Sequence, residues 1–166
     1  GNQFEGGIGE MVGIGNFGGV VSLRAWVIGN YFYNYARQGL NPNLVQAKII
    51  GNQFYLGNGG IEAGVSDLMI HGNDFFTLTG GGISIAAANH ASVQGNTFRT
   101  VITNNPGSAV YAIVVAAQGT GNPSSDGQIS GNIFNNSSTF GNQIAIALAP
   151  GTPTPATPNA RWTISH

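Results

Sequence analysis

The tetrapeptide Gly-Asn-x-Phe begins at Gly1, Gly29, Gly51, Gly72, Gly95 and Gly131, and no other feature of the chain limits its fold as strongly. The intervals are 28, 22, 21, 23 and 36 residues. A unit of about 22 residues cannot bury a core alone, so successive units must stack as the coils of a solenoid. The longer intervals then hold inserted loops, because added loop length costs little free energy. Stacking demands the same kind of side chain at each level, and such columns are present. Two residues before the glycine stand Val27, Ile49, Ile70, Val93 and Ile129, continued by Ile164 if His166 takes the glycine's place. Four residues before it stand Ala25, Ala47, Leu68, Ala91, Gly127 and Trp162. Alternation with period 2 puts both columns on the inner side of a β-strand. Phe32, Phe54, Phe75, Phe98 and Phe134 make a third inward column after the turn.

Asn30, Asn52, Asn73, Asn96 and Asn132 fall where the chain must turn. Asparagine tolerates the left-handed backbone conformation there, and its amide can bond to copies above and below, as an asparagine ladder. A second strand recurs as Ile61-Glu62-Ala63, Ile83-Ser84-Ile85, Ile113-Val114-Val115 and Ile144-Ala145-Ile146. Helix competes poorly, because glycine and asparagine recur in every unit and no apolar stripe of period 3.6 persists. The coil length, the asparagine at a turn and the stacked aliphatic and aromatic columns resemble the pectate-lyase-like right-handed parallel β-helix superfamily, over nearly the whole chain from Gly1 to His166. The fold expected is all-β, a right-handed single-stranded parallel β-helix of about six to seven coils with an asparagine ladder. In function the resemblance is broad, since that architecture serves polysaccharide lyases, glycoside hydrolases, epimerases, phage tailspikes and noncatalytic adhesins.

The 166 residues form one domain. Inserted loops are expected over 5–18, 118–126 and 150–159, the last two rich in Gly, Pro, Ser and Thr. Neither end shows a polar cap, which a solenoid needs to avoid edge pairing. The domain therefore reads as a segment of a longer polypeptide, or as one capped by a partner subunit.

Five Lys and Arg against six Asp and Glu provide no basic stripe for phosphates, which argues against nucleic acid as a partner. With no cysteine there is neither a disulfide framework nor a thiolate metal site. The longest apolar run, Ala109 to Ala117, is far below the roughly 20 residues of a membrane span, so membrane insertion is not expected. Nothing in the sequence calls for a cofactor or a bound metal.

Five residues before each glycine the side chain points outward, and that column reads Arg24, Gln46, Asp67, His90, Asp126 and Arg161. At the usual strand spacing Asp67 and His90 are neighbours, and Asp67 and Asp126 lie roughly 9 to 10 Å apart. That is near the upper end of the separation between the acid and base of inverting glycosidases. Asp67, Asp126 and His90 are thus catalytic candidates; the alternative is a surface ladder of charges that ties neighbouring coils. Asp74 and His71 flank one turn as a possible second acid and imidazole pair, and Glu62 faces outward beside Ser84. A lyase would need a calcium-binding carboxylate cluster and a base, but Lys48, the only lysine, lies two coils from Arg99 and in another column.

Tyr31, Tyr33, Tyr55 and Phe76 lie on the outer side of the turn, followed by Arg99, with Trp26, Ile28 and Ile50 at outward positions nearby. Aromatic faces stack on sugar rings, so Tyr33, Tyr55, Phe76, Arg99 and Arg161 are the substrate-binding candidates. The outward column of the second strand, Glu62, Ser84, Val114 and Ala145, becomes small and apolar toward the C-terminus and suits packing against another copy, most simply in a homotrimer. The function expected is a carbohydrate-engaging β-helix of tailspike or receptor-binding type, binding or depolymerising a cell-surface polysaccharide in an extracellular or virion setting. If it is an enzyme, it is a glycoside hydrolase or polysaccharide lyase. The alternatives are a noncatalytic shaft or decoration module of a larger assembly and, further off, a lyase or epimerase.

Overall fold

The computed structural model describes residues 1–7, 12–15, 24–43, 46–64, 67–86, 88–101, 109–116, 124–135, 142–149 and 161–166. Among these residues all regular structure is strand, arranged as three six-stranded sheets whose named pairings are all parallel. The first sheet stacks Gln3–Gly7, Tyr31–Tyr35, Gln53–Tyr55, Asp74–Leu78, Thr97–Val101 and Ile133–Asn135. The second stacks Val12–Gly15, Gln38–Asn43, Gly59–Ala63, Gly81–Ala86, Ala109–Ala116 and Asn142–Ala149. The third stacks Arg24–Ile28, Gln46–Ile50, Leu68–His71, Ser92–Gln94, Gln128–Ser130 and Thr163–Ser165. The chain visits the three sheets in turn and returns to the first one strand further along. This all-β arrangement is consistent with a parallel β-helix or solenoid.

The columns are in register. Val27, Ile49, Ile70, Val93, Ile129 and Ile164 pair in succession across the third sheet. Phe4, Phe32, Phe54, Phe75, Phe98 and Phe134 do so across the first. Their rings lie 4.7 to 5.2 Å apart with interplanar angles of 2° to 15°. Each ring needs room beside it, and the second sheet supplies that room with small residues. A Cβ built on Gly60 would fall 2.5 Å from Phe75 Cε1, and one on Gly82 2.5 Å from Phe98 Cε1.

One register differs from expectation. Val114 pairs with Ala147, not Ala145, because Tyr111 pairs with Ile144 and Ile113 with Ile146. Ile144-Ala145-Ile146 and Ile146-Ala147-Leu148 present the same alternation, so a slip of two residues leaves the pattern unchanged. Two other differences concern backbone. Val12–Gly15 is a strand paired with Gln38–Asn43, and Gln3–Gly7 reaches past residue 5, so the stretch 5–18 is not simply a loop. The other two insertions, apart from Ser124 to Asp126, lie outside the described residues.

The left-handed residue of the Gly-Asn turn is the glycine, with φ of 60° to 66° at Gly29, Gly51, Gly72, Gly95 and Gly131. Asparagine was expected to take that conformation; glycine does so at no steric cost and leaves the asparagine free to bond. Asn52 Nδ2 donates to Asn73 Oδ1 at 3.0 Å and to the Val27 carbonyl at 2.8 Å, while the Asn52 backbone N–H donates to Asn73 Oδ1 at 2.9 Å. Asn73 repeats the pattern toward Asn96 and Ile49, and Asn96 toward Asn132 and Ile70. Asn52, Asn73 and Asn96 are buried polar side chains, and these bonds satisfy them.

Candidate functional site

The charged column lies at a corner that leads into the third sheet. Asp67, His90, Asp126 and Arg161 all have left-handed backbone there, with φ of 52° to 56°. Aspartate and histidine are enriched in that conformation, so the backbone by itself accounts for three of these four residues. Their side chains link repeat to repeat: Gln46 Nε2 donates to Asp67 Oδ2 at 3.3 Å, and His90 Nδ1 lies 3.2 Å from Asp67 Oδ1. Further along, Arg161 donates from Nε and Nη2 to the two oxygens of Asp126, and Ser125 Oγ also donates to Asp126. The Arg161 hydrogen bonds are the main reason the Asp126 carboxyl is held down at about 2. Such a carboxylate stays ionised and engaged, unlike a general acid, which must carry a proton near its working pH.

Asp74 and His71 do not pair, contrary to the expectation for that turn. Asp74 turns to Arg99 of the next repeat, which donates to it from Nε and Nη2. His71 Nε2 lies 2.9 Å from Ser92 Oγ, and partial burial lowers the His71 pKa below its ordinary value.

The first sheet gathers Tyr33, Tyr55, Phe76 and Arg99 into one outward column, since Tyr33 pairs with Tyr55, Tyr55 with Phe76 and Phe76 with Arg99. Arg161 is not among them; it belongs to the corner with Asp126. Tyr33 and Tyr55 stack at 5.5 Å and Tyr55 and Phe76 at 5.0 Å, while the Arg99 guanidinium lies 5.1 Å over the Phe76 ring. Tyr31 lies 6.0 Å from Tyr33 on the same strand. The faces of these rings are therefore turned to one another or to Arg99. Beside the column runs a groove of about 200 Å³ lined by Tyr31, Gln53, Phe54, Tyr55, Asp74, Phe76 and Arg99. Burial, the Tyr33 and Tyr55 phenols and Glu5 together raise the Tyr31 pKa, which keeps its hydroxyl a hydrogen-bond donor.

Gln53 and Asp74 were not among the binding candidates. Their signal lies two residues after the glycine, where the column reads Tyr31, Gln53, Asp74 and Thr97, polar or aromatic at these four levels before Ile133 ends the run. Comparison of the chain with protein-family models, with curated protein sequences and with solved structures gives no match in any of the three.

Proposed function

We propose that the chain is a carbohydrate-engaging, right-handed single-stranded parallel β-helix of six to seven coils, with an asparagine ladder, similar to tailspike members of the pectate-lyase-like superfamily. It binds a cell-surface polysaccharide, in an extracellular or virion setting. The observation that carries this reading is the axial groove along Tyr31, Gln53, Tyr55, Asp74, Phe76 and Arg99. It combines aromatic rings, an amide and a carboxylate–guanidinium pair, the mixture of apolar surface and fixed polar groups that sugars require. Its repetition along the axis suits a polymer better than a single small molecule.

Binding is favoured over depolymerisation by the state of the acidic candidates: Asp126 is clasped by Arg161, and Asp67 is bonded to Gln46 and His90. Affinity electrophoresis in gels cast with a panel of polysaccharides tests the reading. Retardation by at least one polymer is expected, with no release of reducing ends, and with loss of retardation in the double variant Tyr55→Ala, Phe76→Ala. Migration unaffected by every polymer, or retardation unchanged in the double variant, overturns it.

A second reading, a noncatalytic shaft or decoration module, is favoured by the corner geometry, which explains Asp67, His90 and Asp126 by conformation and stacking alone. The outward residues Ser84, Val114 and Ala147 of the second sheet suit close packing of copies in a homotrimer. Light scattering that returns a monomer would remove the trimer from both readings.

A further inference from the structure

We infer that the outer face of the third sheet carries a separate subsite for an anionic sugar unit, formed by Arg24, Trp26, Gln46 and Lys48; the inference rests on the carbohydrate-engaging reading above. The first support is the distribution of cations. Of the chain's five Lys and Arg, Arg99 is matched by Asp74 and Arg161 by Asp126. Among the described residues, no ion pair holds Arg24 or Lys48. These two stand on adjacent strands, where Arg24 pairs with Gln46 and Trp26 with Lys48. The four side chains border one open groove of about 330 Å³, completed by Ala47 and Asp67.

The second support is Trp26. The Lys48 ammonium lies 4.9 Å over its ring, yet Trp26 remains 68% exposed. In the first sheet, by contrast, the aromatic faces are turned to one another or to Arg99. An exposed indole offers the platform that the C–H face of a sugar ring packs against. The Arg24 fork and the Lys48 ammonium beside it fit a carboxylate or sulfate substituent.

The remaining groups of the groove are compatible with this assignment. Among the described residues Asp67 is the one acid lining it, and its oxygens already accept from Gln46 and His90. That places the anion on the Arg24 and Trp26 side, away from Asp67. Gln46 uses its amide nitrogen on Asp67 and keeps its amide oxygen for a sugar hydroxyl.

The test is isothermal titration of the purified chain with three polymers: alginate for carboxylate, dextran sulfate for sulfate ester, and dextran as the neutral control. One of the two anionic polymers is expected to bind about tenfold or more tightly than dextran at low salt, as charge-assisted hydrogen bonds provide. The difference should shrink as added salt screens it. The double variant Arg24→Gln, Lys48→Gln should reduce the anionic polymer to the dextran level, and Trp26→Ala should weaken that polymer without touching dextran binding. All three substitutions are on exposed side chains, and an unchanged circular dichroism spectrum shows that the variants fold. Equal affinity for the anionic and neutral polymers, or an anionic preference that survives in the double variant, overturns the subsite and leaves the carbohydrate reading standing. Failure of all three polymers to bind overturns the subsite, and retardation of the same protein by none of the wider polysaccharide panel overturns the carbohydrate reading too.

Discussion

Arg161 grips the Asp126 carboxylate of the preceding repeat with two donors, Nε to Oδ1 and Nη2 to Oδ2. The pair closes the corner between the last two strands of the third sheet, Gln128–Ser130 and Thr163–Ser165, which are themselves in register. Both residues have left-handed backbone, so the pair fixes two conformationally unfavourable positions at once.

The pair has a pH signature. The Asp126 carboxyl is lowered from an ordinary 3.8 to about 2, chiefly by the Arg161 hydrogen bonds. A depressed folded-state pKa contributes stability that is present above the unfolded value and lost as pH falls through the folded one. Urea midpoints should therefore decline between about pH 4 and pH 2 for this reason, and the decline should be shallower in Arg161→Gln. Carboxyl carbon NMR of Asp126 reads the same change directly, as a titration that moves up toward 3.8 in the variant. An unmoved titration would show that Arg161 does not hold the carboxylate in solution.

How far the molecule was legible in its sequence varied with the kind of signal. The Val27-to-Ile164 and Phe32-to-Phe134 columns were readable because inward positions repeat the same chemistry at every level. The left-handed positions were not. Leu56, Thr77 and Thr100 have φ of 53° to 55°, and neither leucine nor threonine favours that region, so nothing in their identity marks the backbone. Each lets an inward Phe be followed by an inward residue three places later, as Phe75 is by Leu78 and Phe98 by Val101. Strict alternation fails there. The Asp74–Arg99 pair was hidden for another reason: it joins two different outward columns, and only the twist and stagger of neighbouring strands bring such columns together.

The buried asparagines should be unequal in their importance. Asn73→Ala removes the acceptor for the Asn52 backbone and side-chain amides and the donor to the Ile49 carbonyl, all in the interior. Each buried group left without a partner costs about 1–3 kcal/mol, so a loss of about 2–5 kcal/mol is expected. Asn2→Ala, at an exposed position, removes the side-chain amide donor to Asn30 Oδ1 while the backbone N–H keeps its bond to the same oxygen, and should cost less than about 1 kcal/mol. Urea denaturation of the two variants gives the comparison, and equal losses would remove burial as the cause.

Tyr35 is inward, and among the described residues its hydroxyl has no hydrogen-bond partner. Burial raises its pKa, so the phenol stays neutral. An unpaired buried hydroxyl is a desolvation cost with nothing to offset it. Tyr35→Phe keeps the ring that fills the space over Gly57 and should stabilise the fold by about 1 kcal/mol. A destabilised variant in thermal or urea unfolding would mean that the hydroxyl has a partner after all.

Gly82 tests whether the phenylalanine stack depends on the small residues beside it. Its backbone needs no left-handed conformation, so alanine is excluded by contact alone. A Cβ there would fall 2.5 Å from the Ala112 carbonyl oxygen and 2.5 Å from Phe98 Cε1. The carbonyl belongs to the neighbouring strand and cannot withdraw without disturbing the sheet, while the ring is pinned between Phe75 and Phe134. Overpacking of this kind costs about 1–3 kcal/mol, which exceeds the unfolded-state gain of roughly 0.4–1 kcal/mol from replacing a glycine. Gly82→Ala should therefore destabilise the protein in urea. Phe98→Leu alone should also destabilise it, by removing a ring from the stack, but the smaller side chain relieves one of the two contacts made by the new Cβ. The double variant should accordingly lose less stability than the two single losses added together, with a coupling of about 0.5 kcal/mol or more. Strict additivity would place the whole cost of Gly82→Ala on the Ala112 carbonyl and free the aromatic stack from any dependence on that glycine.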